Sequence, residues 1–68
     1  MKKEIEIDGM MGQMCKKHVE EALNNLADTA ATVNLEAKNA IVETNQDDTI
    51  LKSVIEKAGY KVVGIKNV

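Results

Sequence analysis

The chain opens on strict alternation. In KKEIEID, Ile5 and Ile7 face one way while Glu4, Glu6 and Asp8 face the other, the period of a strand with one buried face. The next six residues, GMMGQM, break that period with Gly9 and Gly12 and read as a loop. From Cys15 the period lengthens. Val19, Ala22, Leu23 and Leu26 share one helical face, and Lys16, Lys17, Glu20, Glu21 and Asn24 lie away from it. Asn24, Asn25 and Asp28 weaken the pattern, which predicts a helix end near Ala27. TAATVNLEA alternates again, with Ala31, Val33 and Leu35 on one face, and AIVET gives a second short strand. Lys38 and Asn39 turn the chain between them, because Asn tolerates positive φ. Asp47 or Asp48 is the expected N-cap of a second helix, DTILKSVIEKAG, with Leu51, Val54, Ile55 and Ala58 inward and Ile50 at the edge. Gly59 occupies a C-cap position, and YKVVGIK is the last strand.

This order predicts an α+β, ferredoxin-like βαββαβ sandwich, a four-stranded antiparallel sheet with two helices on one face. Residues 1–68 are expected to form one domain, with no linker or low-complexity run. The two halves share a pattern without repeating a sequence.

Composition narrows the picture. With no Trp or Phe, and Tyr60 as the only aromatic residue, the core must be aliphatic. At 68 residues it is also small, since a chain of this size buries only about 60% of its unfolded surface. A net charge of -2 and the lack of stacking rings argue against nucleic acid as a partner. No apolar run is long enough for a signal peptide or for membrane insertion. One cysteine cannot form an internal disulfide, and a free thiol fits a cytoplasmic location.

The candidate chemistry lies in the first loop. Met10, Met11, Met14 and Cys15 put three thioethers and the only thiol within six residues. Cys15 falls in the first helical turn, where unsatisfied N–H groups and the helix dipole favour a thiolate, and Lys16 and Lys17 add positive potential. Thiolate with thioether selects Cu(I) or another soft heavy-metal ion over calcium or magnesium. A structural zinc site is disfavoured, because one Cys and one His fall short of four ligands. His18 is three residues after Cys15 but lies off the apolar face and reads as a solvated residue.

With these residues in place, the chain resembles the heavy-metal-associated domain family, which includes small bacterial copper chaperones and the N-terminal domains of copper-exporting ATPases. The family signature is Gly-Met-x-Cys-x-x-Cys, then a helix with an Ala-Leu pair, then Ala-Gly-Tyr after the second helix. Gly9, Met10, Met11, Cys15, Val19, Ala22, Leu23, Ala58, Gly59 and Tyr60 fall on that pattern. The resemblance implies the ferredoxin-like fold and Cu(I) held nearly linearly by two thiolates. It also implies Met10 tucked into the core and Tyr60 flanking the metal as a second layer. A metal-transporting ATPase or a second copy of the chain is the implied partner. The departure is at Gly12, where the family has its first metal-binding cysteine. Only Cys15 carries over as a thiolate ligand, with Met11 and Met14 as the thioethers nearest to it in sequence. Structural zinc sites put each ligand bond on the order of 3 kcal/mol, so losing one weakens binding by roughly a hundredfold.

Two readings follow. One is a Cu(I)-type binding or transfer module with an incomplete one-cysteine site, completed by a methionine, an added thiol or a second chain. The other is a degenerate domain that no longer binds metal and acts through protein contacts, with Ile41 on the open sheet face as an apolar anchor. An enzyme is not expected, because no second cysteine resolves a mixed disulfide and nothing orients His18 as a base.

Overall fold

The computed structural model describes residues 1–68. Its elements run β1 (Lys2–Asp8), α1 (Gln13–Asn24), β2 (Thr29–Asn34), β3 (Asn39–Thr44), α2 (Asp48–Lys57) and β4 (Lys61–Asn67). The sheet order is β2-β3-β1-β4, and each neighbouring pair is antiparallel. The fold is therefore the ferredoxin-like βαββαβ arrangement that the alternation implied. Each helix crosses over one intervening strand, so the two β-α-β units interlock rather than sit side by side.

Burial explains which face the helices cover. Ile5 and Ile7 of β1, Ala40 and Val42 of β3, and Val33 of β2 form one core with Val19 and Leu23 of α1 and Leu51 and Ile55 of α2. Lys3 shares the side of Ile5 and Ile7 and is buried, paired with Asp48 at the start of α2. The opposite face is polar. Glu4 accepts a hydrogen bond from the Asn39 amide at 2.7 Å and lies 3.5 Å from the Lys66 ammonium. Ile41 is half-buried beside Glu4 and Thr32, so the open face carries no prominent apolar anchor there.

Two boundaries differ from expectation, each for a local reason. Helix α1 ends at Asn24 rather than near Ala27. The Asn24 amide leaves the helix to bond β2, accepting from Ala31 N–H at 2.8 Å and donating to Ala31 C=O at 3.3 Å, and Asp28 takes a left-handed φ of 54°. One turn earlier, Glu20 accepts from Val33 N–H at 2.9 Å. These two side chains cover the outer edge of β2 and fix how α1 lies along the sheet. In the hairpin, the positive φ falls on Lys38 (56°), not on Asn39, which begins β3. The Asn34 carboxamide oxygen accepts from Ala37 N–H at 3.0 Å, which sets the reversal one residue earlier.

The C-terminus of α2 is closed as its glycine predicted. Gly59 has φ +100°, Gly59 N–H bonds Glu56 C=O at 3.0 Å, and Tyr60 N–H reaches Ile55 C=O at 3.2 Å. This Schellman pattern delivers Tyr60 to the start of β4. Because Asp8 pairs with Lys61, the end of β1 and the start of β4 are neighbours. That one pairing brings the methionine-rich loop and Tyr60 to the same end of the molecule.

Candidate metal centre

The loop is anchored from below. Met10 is 6% exposed and belongs to the core, so packing is its role. Gly9 has φ +96°, a conformation other residues adopt only under strain, and a side chain there would meet the Tyr60 ring at 3.8 Å. Met11 and Met14 turn the other way, 90% and 67% exposed. They are the free thioethers of the loop, and Met10 is not.

Cys15 is half-buried at the third position of α1. Gly12, the N-cap, offers no side chain to cap the helix. Cys15 stands where a capping box has its glutamate, and the backbone N–H groups of Met11 and Gly12 favour negative charge on its sulfur. The Tyr60 hydroxyl acts in the same direction. Together these groups hold the Cys15 thiol below its ordinary value, first through the Tyr60 hydroxyl, then through Met11 N–H, against a smaller opposing effect of burial. The Cys15 sulfur in turn pushes the Tyr60 phenol up, with burial and the thiolate charge adding to it. The cause is thus more local than a helix dipole with flanking lysines.

The sign of this coupling is testable. A donor that bonds the thiolate favours the charged form, so alkylation of Cys15 is expected to reach half its maximal rate below the pH of a free cysteine, about 8.5. Tyr60→Phe removes the largest contribution and should move that midpoint upward. A midpoint that does not move, measured as iodoacetamide rate against pH, would show that the hydroxyl does not act on the thiol.

His18 is the residue that pattern reasoning set aside. It is exposed, yet its Nδ1 lies 3.4 Å from the Tyr60 hydroxyl. Cys15 and His18 therefore both neighbour Tyr60. The available signal was the i, i+3 spacing on α1, which places both on one side of the helix. Gly12 brings no ligand, and an added Cβ there would meet nothing within 4 Å. No group of three or more His, Cys, Asp or Glu side chains converges anywhere in the chain. These residues fall short of the four ligands of a closed structural zinc site.

This fold and loop belong to a known class: residues 4–61 match the heavy-metal-associated domain, and the chain is a member of that family. Among its relatives is the copper chaperone CopZ of Staphylococcus aureus, 43% identical over 65 residues, which span 87% of this chain and 93% of the relative. Among solved structures, a CopZ metallochaperone superposes with a TM-score of 0.88 at 34% identity, covering 93% of this chain and 100% of the other. The N-terminal domain of a potential copper-translocating P-type ATPase from Bacillus subtilis, solved in its Cu(I)-loaded state, gives 0.84 at 32% identity, covering 98% and 91%.

Proposed function

We propose that the chain, acting as one domain over residues 1–68, is a non-enzymatic module that binds and hands on a soft ion of the Cu(I) type, with Cys15 as its anchoring ligand. The observation that carries this reading is the free, half-buried Cys15 sulfur at an open helix start, where the Tyr60 hydroxyl and two loop amides favour its thiolate form. The family membership and the copper-handling relatives support it. Cys15 supplies the one charged bond. Met11 and Met14 are exposed and free to approach the ion with thioether sulfur. Tyr60 flanks the sulfur and gives up its hydrogen bond as the ion arrives. A site with one thiolate holds its cargo less tightly than one with two, which suits passage to a metal-transporting ATPase or to a second copy of the chain. No helix is long and apolar enough to cross a membrane. A soluble carrier in the cytoplasm is the corresponding proposal.

The test is a Cu(I) titration of the intact chain against a competing chelator, with mass measured in parallel. Wild type is expected to take one ion per chain, or one per two chains with a matching dimer mass. Cys15→Ser is expected to abolish both. If wild type withdraws no Cu(I), or Cys15→Ser binds as well as wild type, the metal reading fails and the protein-contact reading takes its place.

A further inference from the structure

We infer that His18 supplies the second protein bond to the ion, so that an imidazole nitrogen takes over from the thiolate absent at position 12. The inference rests on the reading of Cys15 as a metal ligand and says what completes its coordination within one chain.

The chain has one Cys, one His and four Met, so His18 is its only imidazole. Carboxylate oxygens are hard and match a soft ion poorly, whereas imidazole suits copper. The Tyr60 hydroxyl lies 3.4 Å from His18 Nδ1, and the same side chain is the neighbour that most favours the Cys15 thiolate, so Tyr60 stands beside both groups. Both residues rise from α1 three positions apart, on neighbouring points of one helical face. Met11 and Met14 have no comparable tether, at 90% and 67% exposure. A ligand already held beside the thiolate loses less freedom on binding than one recruited from solvent.

Metal bonds of about 2.0–2.3 Å are shorter than the hydrogen bond to Tyr60, so the exposed imidazole must turn inward about its side-chain bonds. Its ring must be neutral, with the proton on Nε2 and the lone pair on Nδ1. Thiolate, neutral imidazole and Cu(I) then sum to zero charge, whereas two thiolates leave one negative charge on the site. The position opposite, at Gly12, has no side chain to compete.

The experiment uses the whole chain and Cu(I) alone, buffered by a competing chelator. His18→Ala and His18→Gln are each expected to lower affinity by roughly a hundredfold, the order expected for losing one ligand bond. Both should keep the amide spectrum of wild type, since His18 is exposed. Copper K-edge absorption is expected to show one sulfur and one nitrogen neighbour in wild type, with the nitrogen lost in both variants. Met11→Ala and Met14→Ala should have smaller effects than either. Unchanged affinity in both His18 variants, or an all-sulfur shell in wild type, overturns the inference while leaving Cys15 as a ligand. A wild type that takes no Cu(I) overturns the Cys15 reading and this inference together.

Discussion

Replacing Gly12 with cysteine is expected to tighten Cu(I) binding by roughly two decades or more. The substitution creates the Cys-x-x-Cys spacing that the resemblance to the family implies for its metal loop, at a position where this chain carries glycine. The backbone permits it. Gly12 has φ 177° and ψ -173°, extended values that any residue adopts, and an added Cβ meets nothing within 4 Å. The remaining parts of the loop are present: Gly9 turns it, Met10 anchors it, and Cys15 stands at the helix start beside the loop amides and Tyr60. Stoichiometry should move to one ion per chain, read by the same chelator competition. The variant also tests His18 from a second direction. With two thiolates available, His18→Ala added to Gly12→Cys should cost little, and the departure from additivity would measure the coupling between the two positions. A Gly12→Cys chain that folds normally and gains no affinity would mean that the loop is not arranged for metal.

The second large effect is on stability. Leu23→Ala is expected to cost about 2–5 kcal/mol, the usual range for a leucine removed from a packed core. Leu23 is fully buried between α1 and the sheet, and no aromatic ring in the core can shift to fill the space it leaves. Stability of roughly 0.05–0.15 kcal/mol per residue gives a chain of this length little to spare. The variant should therefore be partly or largely unfolded at room temperature. Urea unfolding followed by circular dichroism is the measurement, with a lower midpoint and an unchanged slope as the expected result. A loss of less than about 1 kcal/mol would show that the core collapses around the lost side chain. The effect should reach the site as well, because Leu23 and Cys15 lie on the same helix.

Much of this molecule is legible one element at a time, because the elements carry their information locally. The alternation of Ile5 and Ile7 with glutamates is enough to orient β1, and Gly59 alone announces the end of α2. Boundaries were less legible where a side chain bonds a residue distant in sequence. Asn24 looks like an ordinary solvated helix residue until Ala31 is beside it, and only then does it explain why α1 stops. Lys3 shows the same limit, since its burial depends on Asp48 arriving from α2.

The site divides along the same line. By itself the sequence determined the fold class, the family, the methionine-rich loop, the cysteine at the helix start and the absence of a second thiol. All of these follow from residue type and short-range spacing. Tertiary structure decided which groups meet the sulfur. The Asp8–Lys61 register brings Tyr60 to Cys15, and Tyr60 in turn reaches His18. It also decided which methionines are free, burying Met10 in the core and leaving Met11 and Met14 in solvent. The physical reason is that hydrophobic periodicity reports only whether a residue faces in or out. Which polar atoms come within bonding distance is set by strand register and helix docking, and those are properties of the assembled sheet.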